Sequence, residues 1–248
     1  MTFTPGPPRA GMQLIFADEF NGPGLDANRW NTCYPWDKDG CTNAGNHELE
    51  WYLPDEVLVE NGALRLRARQ NPVKGSDGNS YPYTSGMVSS HDKFSLTYGY
   101  IEMRAKMPEG QGLWPAFWLL PQTREWPPEI DVLEVLCNDP STLYTTLHYK
   151  TADNPHLGNG HSTYTTIDLS QDFHTYAVDW QKDLVVWYFD GREVFRVMSN
   201  VPAQPMYLIA NLAVGGDWPG SPDQDTLFPS YFEIDYIRAY TDPAGQKQ

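Results

Sequence analysis

The sequence has few positive charges and no long apolar run. Its 248 residues carry 17 Lys and Arg against 32 Asp and Glu, which gives a formal net charge of −15. Such an excess of negative charge disfavours binding to nucleic acids and to anionic membranes. The longest apolar stretch, Leu113 to Pro121, is about half as long as the ~20 residues that a membrane-spanning helix needs. We therefore expect no nucleic-acid partner and no membrane partner.

Cysteine is also scarce, and the first residues do not have the pattern of a signal peptide. Three cysteines are too few for a disulfide-based scaffold. Cys33 and Cys41 lie close together in a Gly/Asn/Asp-rich segment, where a disulfide and two free thiols are both open, whereas Cys137 is predicted to be a buried free thiol. The N-terminus has neither the charged start nor the apolar segment of a signal peptide. We expect a secreted, extracellular protein whose leader has been removed; a cytosolic protein is the alternative.

No stretch of the sequence keeps a helical period over eleven residues, and strand patterns take its place. Short runs of alternating, β-branched and aromatic residues are separated by Gly, Pro, Asn and Asp. They predict strands at 63–68, 98–107, 143–149, 175–180, 184–189, 206–212 and 231–240. Asp190-Gly191 is a two-residue hairpin turn. The predicted fold is all-β, a sandwich or jelly roll of two antiparallel sheets. We expect one domain, residues 1–240, and a polar tail, residues 241–248.

Three acids interrupt one apolar run, at Glu129, Asp131 and Glu134. In a regular strand Glu129 and Asp131 share one face, but Glu134 would point to the other face and into the core. A β-bulge between Asp131 and Glu134 would bring all three to the same face, and bulges are common beside active sites. Two carboxyls about 5–5.5 Å apart form the catalytic pair of a retaining glycosidase. Solvent-facing acids or Ca²⁺ ligands are the alternatives.

Tryptophans flank the acids on both sides. Trp114 and Trp118 lie just upstream in a Gly/Pro-containing segment, Trp126 precedes two prolines, and Trp218 lies in a second Gly/Pro-rich loop. Because the apolar face of a sugar ring packs on an aromatic ring, these four are predicted substrate contacts, with burial in the core as the alternative. His148 lies on the next predicted strand and faces either the acids or the core.

Many segments carry a family resemblance. They are Phe16–Asn21, Gly45–Glu50, Gly99–Lys106, Trp114–Trp118, the acid motif, Thr146–Tyr149, Phe173-His174 through Trp180, Asn211–Gly220 and Asp235–Arg238. The chain resembles glycoside hydrolase family 16, and within it the bacterial laminarinase-like endo-1,3-β-glucanases. The resemblance covers nearly the whole sequence, and the acid motif is its most specific part.

The resemblance implies a jelly roll with a substrate cleft on its concave sheet. It implies that Glu129 is the nucleophile, Asp131 its helper and Glu134 the general acid/base of an endo-β-glucan hydrolase. The matching sugar-binding positions, which include three of the tryptophans above, are Asn46, Arg104, Trp114, Trp118, His148, Asn211 and Trp218. The polysaccharide would be the partner of a monomeric enzyme.

The resemblance also implies one structural Ca²⁺, while the chemistry needs no cofactor. The matching ligands are the backbone oxygens of Glu19 and Gly62 and the carboxylate of Asp235. An ordinary acid at the end of a strand is the alternative for Asp235.

The sequence departs from the family pattern at Trp126-Pro127-Pro128, at His47 and in the Cys33–Cys41 segment. These departures leave the substrate open between β-1,3 or mixed β-1,3/1,4 glucans and a bacterial exopolysaccharide or algal galactan. A transglycosylase would use the same residues. A non-catalytic carbohydrate-binding jelly roll is the alternative from another functional class, and it would have little use for three mutually repelling carboxyls.

Overall fold

The chain forms an almost entirely β-structure. A computed structural model describes residues 6–35 and 40–243; the last five residues of the predicted tail lie outside these ranges. The tail and the 1–240 boundary therefore stay predictions. Helical structure in the described ranges consists of two single turns, Ala44–Asn46 and Pro54–Glu56, and no described helix is long and apolar enough to cross a membrane.

Eighteen strands make up the rest of the regular structure in these described ranges. They are β1 (Gln13–Asp18), β2 (Glu50–Tyr52), β3 (Val57–Glu60), β4 (Ala63–Ala68), β5 (Val73–Lys74), β6 (Ser80–Tyr81), β7 (Tyr83–Ser85), β8 (Met87–Ser89), β9 (Gly99–Lys106), β10 (Leu113–Pro121), β11 (Glu129–Glu134), β12 (Thr142–Tyr149), β13 (Leu157–Tyr164), β14 (His174–Gln181), β15 (Leu184–Phe189), β16 (Arg192–Val197), β17 (Met206–Val214) and β18 (Ser230–Thr241).

Two antiparallel sheets contain most of these strands. The eight-stranded sheet has the order β16-β15-β14-β9-β18-β4-β3, and β1 also pairs with β18; the six-stranded sheet has the order β13-β12-β11-β10-β17-β8. Strands far apart in sequence are neighbours in both sheets, as jelly-roll connections require. The predicted all-β sandwich is confirmed, and every predicted strand is present within two residues of its predicted ends.

The hairpin between β15 and β16 follows the predicted turn. Phe189 pairs with Arg192 across it, and both turn residues have positive φ, 46° for Asp190 and 71° for Gly191. That conformation matches the right-handed twist of the flanking strands, and Asp-Gly adopts it at little cost. The turn therefore fixes the register of this edge of the eight-stranded sheet.

Strand β10 is apolar throughout because both of its faces are covered. Leu113, Phe117 and Leu119 belong to the main core between the two sheets. Trp118 and Leu120 belong to a second buried cluster on the opposite face of the six-stranded sheet. The long apolar run in the sequence is therefore a strand buried on both sides, in keeping with its length.

The second cluster lies on the face of the six-stranded sheet that points away from the main core. Its other members come from four strands and one loop: Tyr34, Tyr52, Met87, Ala116, Tyr207 and Ile209. Several of these side chains also line the cavity described below. The cluster thus forms a packed floor beneath that cavity.

Candidate active site

A β-bulge in β11 brings the three acids to one face of the six-stranded sheet. Asp131 pairs with Thr146, and the next register partners are Glu134 and Tyr144, so two residues of β11 oppose one of β12. The two residues of the bulge, Val132 and Leu133, are both buried in the main core. The bulge restores Glu134 to the face of the other two acids, as the parity of the sequence predicts.

The acids line a cleft of about 760 Å³. Seven predicted substrate contacts line it with them: Asn46, Trp114, Trp118, Trp126, His148, Asn211 and Trp218. Sheet pairing explains this convergence, because Glu134 is the register partner of Ala116 on β10, and Ala116 in turn is the partner of Asn211 on β17. Ten of the eleven residues predicted as catalytic or sugar-binding therefore meet in one cavity.

Arg104 is the predicted contact that the structure does not bring to this cleft. It lies on β9 of the eight-stranded sheet, where its guanidinium bonds to the carboxylate of Asp235 at 2.7 Å. It also lies over the ring of Phe173, 4.9 Å from the ring centroid. The prediction that Arg104 binds sugar in the cleft is wrong because β9 and the acid-bearing strand β11 belong to different sheets.

Glu129 is surrounded by groups that bear on its charge. The indole N–H of Trp126 donates a hydrogen bond to its Oε2 at 2.7 Å, and His148 Nε2 lies 3.8 Å from its Oε1. Burial and the charge of Asp131 raise the pKa of Glu129 well above its usual range, while His148 and the Trp126 N–H act in the opposite direction. The indole and the imidazole therefore favour negative charge on this carboxyl.

Asp131 lies between the two glutamates and is almost completely buried. Burial and then the charge of Glu134 raise its pKa, and a hydrogen bond with Glu129 opposes that rise. His148 Nε2 lies 3.1 Å from Asp131 Oδ2, although the geometry gives that oxygen no hydrogen bond. A hydrogen bond between two carboxyls requires a proton on one of them, so Glu129 and Asp131 form a coupled pair.

Glu134 is the acid with the clearest protonation state. Burial, followed by the charge of Glu129, raises its pKa to about 8, and the indole N–H of Trp114 donates to its Oε1 at 3.2 Å. Trp114 packs edge-on against Trp218, with ring centroids 5.4 Å apart, and Tyr144 also packs against Trp218. At neutral pH this carboxyl carries a proton at the edge of an aromatic surface.

His156 is a cleft residue that the sequence analysis missed. Its Nε2 lies 2.9 Å from Nδ1 of His148, and its ring packs on Trp126 with centroids 4.4 Å apart. It lies in the loop between β12 and β13, so only the return of the chain brings it to the acids. The sequence around His156 gives no indication of that return.

The cysteine-containing loop forms part of the cleft wall. Cys33 and Cys41 are joined by a disulfide, and the Tyr34 N–H donates to the Gly40 carbonyl at 2.6 Å. The Tyr34 ring lies 6.0 Å from that of Trp118, and Tyr34 also lines the cleft. Cys137 is a free, buried cysteine, as predicted.

Strand topology brings the predicted calcium ligands to one place. β4 pairs with β18 up to Ile234, and β1 pairs with β18 from Ile237 onward. Glu19 follows β1 and Gly62 precedes β4, so both lie beside Asp235 in the gap between the two pairings. This gap could hold a hard cation such as Ca²⁺, which prefers oxygen ligands.

The carboxylates near this gap already have cationic partners. Asp235 bonds to Arg104, and Glu19 bonds through both of its carboxylate oxygens to Arg238, at 2.7 and 2.8 Å. A bound Ca²⁺ would take the backbone oxygens and share the Asp235 carboxylate with Arg104. In the described part of the chain, a second group that could hold a metal is Glu129, Asp131 and His148, whose ligand atoms lie within 4.8 Å of one another.

An antiparallel sandwich with paired glutamates on a bulged strand and tryptophans along the same cleft has the features of a glycoside hydrolase. Comparison with known protein families shows which glycoside hydrolase family this is. The chain belongs to glycosyl hydrolase family 16, whose family model matches residues 45–238. The family predicted from the sequence motifs is thereby confirmed.

Relatives and solved structures agree with this assignment. The chain is 36% identical to endo-1,3-1,4-beta-glycanase EglC of Rhizobium meliloti over 94% of its length and 52% of that protein. It is 33% identical to a beta-glucanase of Rhodothermus marinus, with 92% and 85% of the two chains covered. Its structure is similar to the laminarinase catalytic domain from Thermotoga maritima MSB8, with a TM-score of 0.83, 38% identity and coverage of 93% and 98%. The chain spans about half the length of the rhizobial relatives it matches.

Proposed function

We propose that this protein is a retaining endo-β-glucan hydrolase that cleaves β-1,3 or mixed β-1,3/1,4 glucosidic bonds. The observation that carries the proposal is the presence of Glu129, Asp131 and Glu134 on one face of β11, in a cleft lined by tryptophans. The family membership supports the same reaction, and relatives are named both as 1,3-glucosidases and as 1,3-1,4-glycanases.

The two glutamates would act in two displacement steps. Glu129 attacks the anomeric carbon, and the glycosidic C–O bond breaks as Glu134 gives its proton to the leaving oxygen. Water then attacks the glycosyl-enzyme, loses a proton to Glu134 and releases Glu129, so the product keeps the β configuration. The residues alone supply the nucleophile and the acid, and the proposed chemistry uses no cofactor.

The electrostatics of the site support these roles. The raised pKa of Glu134, about 8, keeps the proton that the first step needs. The indole N–H of Trp126 and the imidazole of His148 lie close to the carboxyl of Glu129. They favour placing the negative charge of the Glu129–Asp131 pair on Glu129, the nucleophile. Because burial raises the pKa of Glu129 as well, these two contacts favour the ionised nucleophile that the first step needs while Glu134 keeps its proton.

A second candidate substrate is a galactose-containing or bacterial extracellular polysaccharide. The observation that favours it is a relative named keratan-sulfate endo-1,4-beta-galactosidase, which is 32% identical over 93% of the chain. The same carboxyls would serve that reaction, since only the sugar contacts differ. A non-catalytic binding role is disfavoured by the cluster of three buried carboxyls.

We further propose that the protein is a secreted monomer with one structural Ca²⁺. The Cys33–Cys41 disulfide supports secretion, because such bonds persist in oxidising compartments. The ion would be held by Glu19, Gly62 and Asp235 and would stabilise the packing of β1 and β4 on β18. A calcium-dependent rise in melting temperature that Asp235→Asn abolishes would support this site.

The decisive experiment compares wild type with Glu129→Gln on laminarin, lichenan, a β-1,4-glucan and an agar-type galactan. Reducing ends and product lengths are measured, and the first product's anomer is read by NMR. Wild type should release short β-configured oligosaccharides from laminarin or lichenan, and Glu129→Gln should lose nearly all turnover.

Glu193→Gln provides the matched control, because it makes the same change at an exposed position on β16 of the other sheet. Full activity in Glu129→Gln would overturn the assignment of the nucleophile. An α-configured first product would overturn retention, and cleavage of the galactan alone would favour the second candidate substrate.

A further inference from the structure

A second pair of carboxyls lies at the wall of the cleft, apart from the acids of β11. Glu48 lines the cavity yet is only 7% exposed, and Glu50 is completely buried. The two side chains are two residues apart at the start of β2 and have no role in the proposed displacement chemistry. Because buried carboxylates are costly without partners, their hydrogen bonds reveal what the pair does.

Each carboxyl of this pair has one satisfied and one unsatisfied oxygen. Asn46 Nδ2 donates to Glu48 Oε1 at 2.9 Å, and the Val214 N–H donates to Glu50 Oε2 at 2.7 Å. The remaining oxygens, Glu48 Oε2 and Glu50 Oε1, are buried and have no donor. A single proton held between the two side chains would satisfy both.

The charges around the pair favour keeping that proton. Three tyrosines face the pair. Burial together with the charges of Glu48 and Glu50 raises the pKa of Tyr34 and Tyr52, and the charge of Glu50 contributes to the raised pKa of Tyr81. Burial raises the pKa of Glu48 to about 7, and burial with the charge of Glu48 raises that of Glu50 well above its usual range. Within residues 6–35 and 40–243, neither glutamate forms an ion pair with a lysine or an arginine.

The pair is connected to residues predicted to bind sugar. The Tyr52 hydroxyl opposes the rise in the pKa of Glu48 and so favours the ionised form of that carboxyl. Asn211 Nδ2 donates to the Tyr52 hydroxyl at 3.1 Å, and Trp118 Nε1 donates to Asn211 Oδ1 at 2.8 Å. The acid pair therefore lies beside Tyr52, the first residue of a chain of hydrogen bonds that ends at the aromatic floor of the cleft.

The same pair also joins two loops that border the cleft. The loop of Asn46 packs on the loop after β17, where the Asp217 N–H donates to the Asn46 carbonyl at 2.9 Å. Gly216 allows this approach, because a Cβ there would lie 3.0 Å from the Asn46 carbonyl oxygen. The outer groups on these loops, His47 and Asp217, are exposed and bond to each other.

We propose that Glu48 and Glu50 share one proton and position a sugar-binding wall of the cleft. That wall consists of Asn46 and Asn211, and Asn211 is held by its hydrogen bond to the buried Tyr52. With Nδ2 bonded to Glu48, Asn46 presents its side-chain oxygen as an acceptor for a sugar hydroxyl. Loss of the shared proton leaves two buried carboxylates that repel each other, so the wall shifts and binding of a neutral sugar weakens.

This inference rests on the proposed function, because it takes a glucan as the sugar. The probes are laminari- and cello-oligosaccharides, and the protein is Glu129→Gln, which binds substrate without turning it over. Calorimetry measures their dissociation constants between pH 6 and pH 9. In this parent, binding should weaken at least tenfold across that range.

Glu50→Gln in the same background imitates the protonated pair at every pH. Its amide N–H₂ donates to Glu48, and its oxygen still accepts the Val214 N–H. The dissociation constant should therefore change less than threefold between pH 6 and pH 9. Glu134 and Asp131 across the cleft titrate equally in both proteins, so the difference between the two slopes belongs to the pair.

Glu102→Gln is the control, because Glu102 is a fully buried glutamate with a raised pKa on the eight-stranded sheet. In Glu102→Gln the dissociation constant should depend on pH as it does in the parent. If Glu50→Gln does not fold, Glu48→Gln makes the complementary replacement and should flatten the slope in the same way. The inference is overturned if the dissociation constant of Glu50→Gln depends on pH as strongly as that of the parent. It is also overturned if folded Glu50→Gln no longer binds the oligosaccharide at pH 6.

Melting curves recorded without sugar test the shared proton independently of the proposed glucan hydrolase function. Between pH 6 and pH 9 the melting temperature should fall more in the parent than in Glu50→Gln, because only the parent loses the shared proton. If the melting temperature falls equally in the two proteins, the proposed sharing of a proton is overturned. Absence of any oligosaccharide binding at pH 6, with no hydrolysis by wild type, contradicts the proposed function, whereas the melting curves still decide whether the proton is shared.

Discussion

Glu134 combines a retained proton with a position at the edge of the Trp114–Trp218 surface. Its pKa of about 8 means that the general acid is protonated at neutral pH and loses its proton above that value. The activity of the free enzyme, measured as kcat/KM, should therefore fall with a limb near pH 8.

Glu134→Gln should lower kcat on a polysaccharide by roughly 10²–10⁴-fold, because the leaving oxygen no longer receives a proton. The same variant should still release the phenolate from an aryl β-glucoside or β-oligoglucoside, since the phenolate of a phenol with a low pKa departs without protonation. Burst kinetics on both substrates would check this. Equal losses on the two would contradict the role of Glu134 as the acid.

Trp126 has two separable interactions with the site. Trp126→Phe keeps the ring that packs on His156 but removes the N–H that donates to Glu129. A hydrogen bond to a charged group contributes about 1.5–3 kcal/mol, so kcat/KM should fall roughly tenfold or more. The acid limb of the pH profile should move to higher pH, because the ionised form of Glu129 loses a donor.

Trp126→Ala separates stacking from hydrogen bonding, since it removes the ring as well. Its KM should rise above that of Trp126→Phe, while the acid limb should coincide in the two variants. An acid limb that stays at its wild-type position in Trp126→Phe would contradict the proposed influence of the indole on Glu129.

The bulge in β11 and the disulfide loop are the two elements that shape the site most directly. The bulge could be inferred from the sequence because side chains alternate strictly along a strand, so three acids at this spacing cannot share a face otherwise. The disulfide could not be decided in advance, since two nearby cysteines give no information on the distance between them in the fold.

Other elements could not be predicted for different reasons. β13 has glycines at two of its eight positions and is mostly exposed, so it lacks the apolar alternation by which strands are recognised. Arg104 was assigned to the cleft by the family resemblance alone, and the strand pattern could not correct this because it does not show to which sheet a strand belongs. Glu48 and His156 reach the cleft through loops, whose paths depend on the whole fold.

Removal of the Cys33–Cys41 disulfide should affect both stability and substrate binding. The bond closes a loop with a sequence separation of 8, for which loop-closure entropy predicts a loss of about 2–3 kcal/mol. The double variant Cys33→Ser/Cys41→Ser should melt at lower temperature and show a raised KM, because Tyr34 packs against Trp118 in the cleft wall.

Denaturant titration and steady-state kinetics would measure these two effects. Cys137→Ala is introduced into both proteins so that no free thiol can exchange with the disulfide. An unchanged KM together with reduced stability would show that the loop contributes to folding and not to the cleft wall.

At the scale of the whole molecule, buried acids make stability depend on pH. Burial raises the pKa of Glu48 from 4.5 to about 7 and that of Glu134 from 4.5 to about 8. The native state therefore binds more protons than the unfolded chain between pH 4.5 and about 8, and stability falls as pH rises through this window. Glu56 and Asp190, with lowered pKa values, act oppositely and lose their contribution in acid.

The melting temperature should accordingly be higher near pH 5 than at pH 8, and each kcal/mol lost corresponds to about 2–4 °C for a chain of this size. Glu134→Gln should narrow the difference, since it removes one of the buried titrating groups. Calorimetry at the two pH values provides the measurement. A melting temperature that rises from pH 5 to pH 8 would contradict the burial of these acids in their neutral form.

Strand β17, whose nine residues are all buried, has a consequence for how the chain reaches its native state. Its sequence, MYLIANLAV, combines strand formers with no charge and no proline, which is the composition of a segment prone to self-association. Until β8 and β10 pair with its two edges, such a segment is available to the same segment of another chain. Refolding from denaturant should therefore lose yield steeply with protein concentration, and a lysine in place of Ala210 would suppress that aggregation only by preventing the native core from forming.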